Sequence, residues 1–286
     1  MQPARVIGDK KQREFQFTDK DFNYIRQLVS DNTGIVLSEA KRDMVYGRLS
    51  RRIRELRLSS YKAYCDRLKN GDEEELIAFT NALTTNLTSF FREPHHFDFL
   101  KNKLLPELKN SKADRKLRIW SAGCSSGEEP YSIAMVVHEV FATVIDSWDI
   151  KILATDLDSN MVQKAANGIY TEERVTGLEK NRLNKYVKSG SGDNVGMVKM
   201  SPKLQKLITF KELNLMHEWP MTGPFDFMFC RNVVIYFDKP TQKILFDRYA
   251  DLLAPKAHLF IGHSESLHNV TTRFNLLGKT IYQKMN

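Results

Sequence analysis

The stretch LRIWSAGCSSGEEPYSIAM, residues 117–135, decides the fold class because it joins an apolar strand-like run to a glycine turn and then to the start of a helix. Gly123, Ser125 and Gly127 have the G-x-S-x-G spacing of the nucleophile elbow in serine hydrolases. The same order of strand, glycine turn and helix also forms loops that bind nucleotide-type cofactors. The remainder of the chain discriminates between these two interpretations.

A serine hydrolase requires further features outside this stretch. In that fold several strands precede the nucleophile, and a glycine-rich loop upstream commonly contributes to the oxyanion hole. Here the upstream chain has a helical pattern, and the sequence contains no Gly-Gly pair. A triad of Ser125, Asp226 and His263 has the expected chain order, but it would need the first strand of the sheet to act as a central one. A second candidate elbow, GHSES at 262–266, lacks the final glycine, so the sequence disfavours this class of enzyme.

The composition limits the class of protein. With 286 residues the chain can form one large α/β domain or two unequal domains, each with its own core. Its three cysteines are far apart in sequence, the start has no apolar signal segment, and no run reaches membrane-spanning length. We therefore expect a soluble, reduced, cytoplasmic protein without direct membrane insertion. We also expect it to be a monomer. The net charge of +8 indicates an acidic partner without identifying its kind.

Two patterns of periodicity divide the chain. Residues 17–110 have the pattern of successive helices, and Val45, Leu49 and Ile53 form the apolar stripe of a helix with one buried face. From residue 117, apolar strand-like runs alternate with helical stretches, which predicts an α/β, doubly wound, mostly parallel sheet with helices on both faces. We therefore predict an all-helical N-terminal domain over residues 1–90 and an α/β domain over residues 91–286.

Two segments of the second domain depart from this alternation. Residues 168–206 are rich in glycine, serine and asparagine and are longer than an ordinary connection. We interpret them as an inserted subdomain with a small antiparallel β hairpin. The final segment, TRFNLLGKTIYQKM at 272–285, is expected to add a closing antiparallel strand.

The cofactor interpretation requires an acidic residue at the end of the second strand, and Asp156 in IKILATDL meets that requirement. Asp158 also ends the strand region, but it is better suited to cap the next helix, whose cap is either Asp158 or Ser159. Glu128 and Glu129 occupy the first helical positions after the glycine turn, where they would repel a pyrophosphate but accept a cofactor with an adenosine and a positive sulfonium. The sequence thus indicates S-adenosylmethionine, unless the two glutamates only complement the helix dipole.

Five stretches of the chain, one of them within 117–135, can be compared with a known family. They are TTNLTSFFREPHHF (84–97), AGCSSGEEPYSIAM (122–135), ATDLDSNM (154–161), LNL (213–215) and FCRNVVIYF (229–237). In this order, and across nearly the whole chain, they resemble the chemotaxis receptor methyltransferases of the CheR family and are similar to its enteric members. The resemblance implies a Rossmann-like fold and S-adenosylmethionine-dependent methylation of glutamates in the cytoplasmic helical bundle of chemoreceptors. Glutamate methyl esters and S-adenosylhomocysteine would be the products, formed during chemotactic adaptation.

The resemblance also implies the residues of the cofactor pocket. These are Asn86, Thr88, Arg92, Glu129, Asp156, Asn214, Leu215, Arg231 and Asn232. Three of them also end predicted strands, where doubly wound folds bind ligands: Asn214 could contact adenine, and Arg231 and Asn232 follow the fourth strand. A turn role for Asn214 and a helix-capping role for Asn232 remain alternatives.

An acceptor glutamate is ionised near neutral pH, so its methylation needs no general base. The protein must instead exclude water and hold the acceptor in line. Arg92 can grip a carboxylate with its guanidinium fork, and Tyr236 can orient it through the hydroxyl, unless Tyr236 only packs beside Phe237. His95 and His96 are too close in sequence to face one metal ion from a helix, and no acid or cysteine cluster completes a site, so we expect no metal.

The positive charge is concentrated in one predicted helix, since residues 41–57 contain seven Lys/Arg and two Asp/Glu. Four basic residues beside its apolar stripe suit an acidic helix bundle, although a solvated face is the alternative. They are Lys41, Arg48, Arg51 and Arg52. In the insert, the resemblance implies a tether for the receptor's C-terminal peptide. Three glycines there allow close backbone approach: Gly190, Gly192 and Gly196.

Two other functions remain open. An RNA methyltransferase would suit the basic charge, but the fourth strand lacks the Asp/Asn-Pro-Pro-aromatic motif with which many amine-methylating enzymes bind a flipped base. We therefore expect no nucleic-acid partner. A docking module without catalysis would require all the pocket residues to be incidental.

Overall fold

The computed structural model describes residues 13–285, which form two compact units. The first contains the described residues up to Asn32 together with Leu37–Leu83, and the second contains Thr33–Val36 together with the chain from Thr84 onward. The division after Leu83 comes before the boundary at residue 90 that the sequence suggests. It does so because Thr84 and Asn86 donate hydrogen bonds of 2.8 and 2.7 Å to Asp158, which lies in the second unit.

The first unit is all-helical, as predicted. Its helices are α1 (Asp19–Thr33), α2 (Arg42–Glu55), α3 (Tyr61–Lys69) and α4 (Glu73–Leu83). Val45, Leu49 and Ile53 on α2 are fully buried, because their stripe packs against α3 and α4. Lys41 lies in the short 3₁₀ turn Glu39–Lys41 that precedes α2.

The second unit contains a seven-stranded sheet and a separate three-stranded sheet. The strands are β1 (Lys116–Ala122), β2 (Asp149–Asp156), β3 (Ile169–Thr171), β4 (Val187–Ser189), β5 (Met197–Met200), β6 (Ile208–Glu212), β7 (Phe225–Cys230), β8 (Leu253–Ile261), β9 (Phe274–Gly278) and β10 (Ile281–Lys284). The helices are α5 (Pro94–Phe99), α6 (Leu105–Ser111), α7 (Glu128–Phe141), α8 (Ser159–Asn167), α9 (Glu172–Val175), α10 (Lys180–Tyr186), α11 (Pro202–Gln205) and α12 (Lys239–Leu252).

The large sheet has the strand order β6-β2-β1-β7-β8-β10-β9. Neighbouring strands from β6 to β8 are parallel, and β10 pairs antiparallel with β8 and β9. Along β1, Leu117 and Ile119 enter the core that includes α7, whereas Trp120 and Ala122 enter the core that includes α12. The predicted doubly wound sheet with helices on both faces is therefore confirmed. Within residues 13–285, none of the helices combines the length and apolarity that crossing a membrane requires.

The final segment forms a hairpin of two strands where the sequence predicted one. Gly278, Lys279 and Thr280 all have positive φ angles, of 134°, 47° and 65°, and together they turn the chain from β9 back into β10. The predicted antiparallel strand is β10, which pairs with β8, and β9 pairs with β10 as the outermost strand of the sheet.

The insert at 168–206 contains the small antiparallel sheet, with the strand order β3-β5-β4. The predicted β subdomain is thus confirmed. It also contains α9, α10 and α11, which the turn-rich composition did not predict. These helices are short, so they carry little of the periodicity from which a helix is recognised in sequence.

Four parallel neighbours, β6, β2, β1 and β7, end at the same edge of the large sheet. Ala122 pairs in register with Thr155, and Asp156 pairs with Glu212. Because doubly wound sheets bind ligands beyond the carboxyl ends of their strands, the loops after these four strands define the candidate site.

Candidate functional site

The glycine loop after β1 lies against the ends of two neighbouring strands. The amides of Gly123 and Cys124 donate to the carbonyl of Thr155, at 2.8 and 2.9 Å. Gly123 has a φ angle of +85°, and a Cβ placed there would lie 2.3 Å from Cγ2 of Val233, in the loop after β7. Only glycine therefore allows these two loops to approach each other so closely.

Asp156, at the end of β2, binds the glycine loop through its carboxylate. Oδ2 accepts from the amide of Ser125 at 2.7 Å, and Oδ1 accepts from the amide of Asp158 at 2.9 Å. Burial raises the pKa of Asp156 to about 6, against the opposing effect of these amides. Each carboxylate oxygen has a second lone pair, so Asp156 can still accept hydrogen bonds from a ligand.

Asp158 is the N-cap of α8, as predicted, and accepts from the amides of Asn160 and Met161 at 3.0 and 3.4 Å. It has a second role that the sequence did not reveal. Its other oxygen accepts from Thr84 Oγ1 and Asn86 Nδ2. Asp158 therefore holds Asn86, a predicted pocket residue, beside the ends of β1 and β2.

The buried guanidinium of Arg231, just after β7, lies between two carboxylates, those of Glu129 on α7 and of Glu93 just before α5. Arg231 Nη1 is 3.2 Å from Glu129 Oε2, and Nη2 is 3.4 Å from Glu93 Oε2 and donates to the carbonyl of Arg92. Ser121 Oγ donates to Glu129 Oε1 at 2.7 Å. Burial raises the pKa of Glu129, and Arg231 counteracts that rise. Among residues 13–285, the buried Nε of Arg231 has no hydrogen-bond partner.

Glu128 has a different role from its neighbour. Its carboxylate accepts from Ser126 Oγ at 2.6 Å. It also pairs, at 2.8 Å, with Nη2 of Arg174, which lies on helix α9 of the insert. The carbonyl of Thr88, another predicted pocket residue, accepts from the same guanidinium at 3.4 Å. Glu128 thus connects the glycine loop to the insert, whereas Glu129 belongs to the pair of carboxylates around Arg231.

Residues 231–236 follow β7 and carry Arg231, Asn232 and Tyr236. Asn232 has a left-handed φ angle of +58°, and Tyr236 ends the 3₁₀ turn Val234–Tyr236. The carboxylate of Glu265 accepts hydrogen bonds from backbone amides of this segment. Sequence reasoning missed Glu265, since it considered GHSES at 262–266 only as an elbow.

The segment after β6 lies beside β2, because the amide of Leu213 donates to the carbonyl of Asp156 at 2.9 Å. Asn214 Oδ1 accepts from the amide of Met216 at 2.9 Å, so the local turn role left open by the sequence is present. The carbonyl of Leu215 accepts from Arg248 Nη1 at 2.8 Å. Asn214 and Leu215 therefore occupy a fixed loop next to Asp156.

Arg92 lies in a tight turn between two residues with left-handed φ angles, Phe91 at 52° and Glu93 at 56°. Its guanidinium donates to the carbonyl of Leu87 at 2.9 Å and is partly exposed. This turn brings the backbone of Arg92 to Arg231 while leaving its side chain within reach of solvent.

The sequence argument that His95 and His96 cannot face one metal ion is wrong in its geometry. Glu93, His95 and His96 each place a potential metal-ligating atom within 4.8 Å of the others, because the left-handed Glu93 turns its side chain back over the start of α5. Glu93 also pairs with His263 at 2.9 Å and with Arg231. Burial lowers the pKa of His96 to about 3, and its Nε2 contacts the carbonyl of Lys279 at 3.2 Å.

The residues of the hypothetical hydrolase triad do not meet. Ser125 Oγ donates to the carbonyl of Asn86 at 3.0 Å, and His263 pairs with Glu93. Asp226 lies near the start of β7, at the opposite edge of the parallel sheet, where it pairs with Lys112 at 2.5 Å. The elbow interpretation therefore has no structural support.

Replacing Ser125 with alanine is expected to leave the turnover rate within about threefold of the wild type, because the loop acts through its backbone amides and loses one hydrogen bond of about 1 kcal/mol. The rate is that of the methyl transfer from S-adenosylmethionine which the sequence predicts. Loss of turnover in a variant that still binds the cofactor would reopen the elbow interpretation.

The four basic residues proposed for substrate binding have unequal surroundings. Arg48 donates to the carbonyls at the end of α4, and Arg52 pairs with the buried carboxylate of Glu75 at 2.6 Å. The side chain of Arg51 is 78% exposed, and Lys41 is also exposed. Two of the four thus hold helices together, and two are accessible.

The glycines of the insert shape the connection between β4 and β5. A Cβ at Gly190 would lie 2.1 Å from the carbonyl oxygen of Asn194, and Gly192 and Gly196 have φ angles of +58° and +84°. The close backbone contact at Gly190 is within the loop itself, whereas a Cβ at Gly192 or Gly196 would meet no atom within 4 Å. Val195 at its tip is 76% exposed.

Comparison with known proteins assigns the chain to a family. Residues 20–84 match the all-alpha domain of the CheR methyltransferases, and residues 86–283 match their SAM binding domain. The chemotaxis protein methyltransferase of Escherichia coli K12 is 42% identical over 93% of this chain and 91% of its own length. Chemotaxis protein methyltransferase 2 of Pseudomonas aeruginosa is 41% identical over 98% of this chain and 97% of its own length. The Salmonella typhimurium chemotaxis protein methyltransferase is 41% identical over 93% and 90%. The protein therefore belongs to the CheR family of S-adenosylmethionine-binding chemotaxis methyltransferases.

Proposed function

We propose that the protein transfers a methyl group from S-adenosylmethionine to glutamate side chains in the cytoplasmic helical bundle of chemoreceptors. The observation that carries this proposal is the buried Glu93–Arg231–Glu129 group beside the glycine loop. It combines an acidic surface for a cationic cofactor with a guanidinium suited to carboxylates. The names of the relatives, chemotaxis protein methyltransferases, support the same function.

The residues present fit the cofactor. Glu128 and Glu129 are both buried on the first turn of α7, where a pyrophosphate would meet two carboxylates. Asp156 would accept from the ribose hydroxyls, and the unpartnered Nε of Arg231 suits a cofactor carboxylate. When bound, S-adenosylmethionine supplies a methyl group activated by a positive sulfonium.

The remaining predicted pocket residues are proposed to complete this site. Asn86 and Thr88 belong to the segment held by Asp158 and Arg174. Asn214 and Leu215 would border the adenine, and Asn232 lies in the loop after β7.

The acceptor glutamate is ionised near neutral pH, so the protein has to orient it rather than deprotonate it. We assign this task to Arg92 and Tyr236. Both belong to segments connected to Arg231: the carbonyl of Arg92 accepts from it, and Tyr236 lies five residues later in the same loop. The partly exposed guanidinium of Arg92 can form two parallel hydrogen bonds with a carboxylate.

Transfer of radiolabel from S-adenosylmethionine tests this function. Receptor-containing membranes and total RNA are offered separately, and the products are treated with alkali, which releases methanol from methyl esters. We expect alkali-labile label on the receptor and none on RNA. Label on RNA would favour the RNA methyltransferase, and cofactor binding without transfer to either would favour a docking module.

The accessible basic residues of the helical unit are proposed to contact the receptor bundle. Replacing Arg51 with glutamate should raise the apparent KM for receptor by about threefold to tenfold and leave cofactor affinity unchanged, because a rim charge acts mainly on encounter. Arg52 is unsuitable for this test, since its replacement would leave the buried carboxylate of Glu75 unpaired.

A matched control is Arg26, an exposed arginine on α1. Its replacement by glutamate changes the net charge equally and should leave the KM unchanged. Wild-type activity should fall as salt rises from low to moderate concentration, since salt screens charges between exposed surfaces. If neither salt nor Arg51→Glu altered the KM, the basic residues would be solvent-exposed without contacting the receptor. Lys41→Glu provides a second check of the same prediction.

The insert is proposed to bind an extended peptide from the receptor's C-terminus. Its outer strands, β3 and β4, each pair on one side with β5 in the small sheet, and an outer strand can accept a further strand through its main chain. The exposed Val195 offers apolar surface at the β4–β5 connection, which the three glycines shape.

Shortening the loop from Ser189 to Gly196, by replacing residues 191–196 with an Asn-Gly turn, is expected to abolish binding of a C-terminal receptor peptide and to leave S-adenosylmethionine affinity unchanged. The two-residue turn keeps β4 and β5 joined as a hairpin. Both affinities are measured by calorimetry. Peptide binding as tight as that of the parent would place the tether elsewhere.

A further inference from the structure

The buried carboxylate of Glu265 accepts hydrogen bonds from backbone amides of the loop after β7. Oε1 accepts from the amides of Val233, Val234 and Ile235, at 2.9, 2.9 and 3.3 Å. Oε2 accepts from the amides of Asn232 and Gly262, at 2.9 and 2.6 Å. Glu265 itself is 5% exposed.

These amides need an acceptor from outside their own segment. The loop begins with the left-handed Asn232 and continues into a single 3₁₀ turn, so its first amides have no carbonyl of a preceding helical turn to bind. Leaving a buried amide without an acceptor is costly. Glu265 therefore acts as an N-cap supplied by a distant part of the chain, and its two oxygens match four successive amides.

A second contact fixes the side chain of Asn232. A Cβ built at Gly262 would lie 2.5 Å from Asn232 Nδ2, so the side chain packs directly on the glycine that follows β8. The amide of the same glycine donates to Glu265. The segment after β8 thus holds Asn232 at both its backbone and its side chain.

We propose that Glu265 is a positioning residue for methyl transfer, which holds residues 231–236 so that Asn232 and Tyr236 meet the cofactor and the acceptor. The inference rests on the proposed function for the identity of the reaction. The inference adds Glu265 to the residues of the site, as one that binds the main chain of the loop and acts through that loop. Its carboxylate must remain an acceptor at both oxygens, because every contacting group is an amide donor.

Glu265→Gln tests the inference with an isosteric change. One amide NH₂ then faces backbone N–H groups, the loop shifts, and we expect cofactor affinity to fall about tenfold and turnover about 100-fold, as for a displacement of roughly 1 Å. Thermal unfolding, cofactor affinity by calorimetry and the separate kcat and KM values are measured on each variant.

Leu253→Ala is the matched stability control. Leu253 is buried at the start of β8, at the opposite edge of the sheet from the loop. This variant should lose at least as much thermal stability as Glu265→Gln and keep its kcat and cofactor affinity within about twofold of the wild type, since it leaves the site in place. Equal loss of activity in both variants would reduce Glu265 to a purely structural role and overturn the inference.

Gly262→Ala is the second variant, in case Glu265→Gln does not fold. It keeps the carboxylate and displaces the side chain of Asn232, so we expect weaker cofactor binding here too. Wild-type cofactor affinity in either variant would overturn the inference. The measurement of cofactor affinity needs no methyl acceptor. If the wild type failed to methylate receptor, the proposed function would be wrong, and the positioning role could still be tested separately by cofactor affinity.

Discussion

Replacing Arg231 with methionine is expected to lower the free energy of unfolding by about 3–5 kcal/mol, the usual cost of removing one partner from a buried ion pair. Arg231 is 6% exposed, and its guanidinium lies 3.2 Å from Glu129 and 3.4 Å from Glu93. Without it, two buried carboxylates repel each other and the carbonyl of Arg92 loses its donor. Urea denaturation followed by circular dichroism measures the loss.

The combined variant Arg231→Met, Glu93→Gln, Glu129→Gln separates charge from packing. It should recover a large part of the lost stability, because neutral amides leave no uncompensated charge. Cofactor binding should not return, since the residues proposed to hold the cofactor are altered. A triple variant as unstable as the single one would show that compensation of charge is not what Arg231 provides.

Asp156→Ala is expected to weaken S-adenosylmethionine binding by more than about tenfold, because hydrogen bonds to a charged group contribute about 1.5–3 kcal/mol each. Asp149→Ala is the matched control, since Asp149 begins the same strand and is exposed, with Arg118 as its partner. Calorimetry should show unchanged affinity for the control. Unchanged affinity for Asp156→Ala would remove this residue from the site.

The same variant should change the dependence of stability on pH. The pKa of Asp156 is raised from 3.8 to about 6, chiefly by burial, so between these values the folded protein holds a proton that the unfolded chain has lost. This contribution is therefore present below pH 3.8 and is lost as the pH rises through about 6. Relative to Asp156→Ala, the wild type should lose at most about 3 kcal/mol of unfolding free energy between pH 4 and 7. Parallel stability curves for the two proteins would contradict it.

Features that depend on neighbours in sequence could be predicted. Strand-like runs and helical stretches alternate because every second or every third to fourth residue faces a core, and that periodicity is written in the chain. The glycine turn at Gly123 and the acid at Asp156 follow from local order along βαβ units. The cap at Asp158 follows from a single residue before a helix.

Features that depend on distant partners could not be predicted in this way. The sequence predicts one basic face formed by Lys41, Arg48, Arg51 and Arg52. In the structure, however, Arg52 on α2 pairs with Glu75 on α4, and α3 separates these two helices along the chain. His95 and His96 were not expected to face one metal ion, yet the left-handed Glu93 places a carboxylate oxygen within 4.8 Å of a ring nitrogen of each. A left-handed φ angle at a residue other than glycine has no reliable signal in sequence.

The sequence by itself determined the α/β class, the position of the glycine loop, and which residues end the parallel strands, because hydrophobic periodicity and turn chemistry are local properties. Only the tertiary structure decided which charges meet: Glu93 and Glu129 around Arg231, Glu128 with Arg174, and Glu265 beneath four amides of another loop. A buried charge must find a partner, but the partner is chosen by which segments the sheet brings together. That choice is a property of strand order, here β2-β1-β7-β8, and strand order is not encoded in any single stretch of the chain.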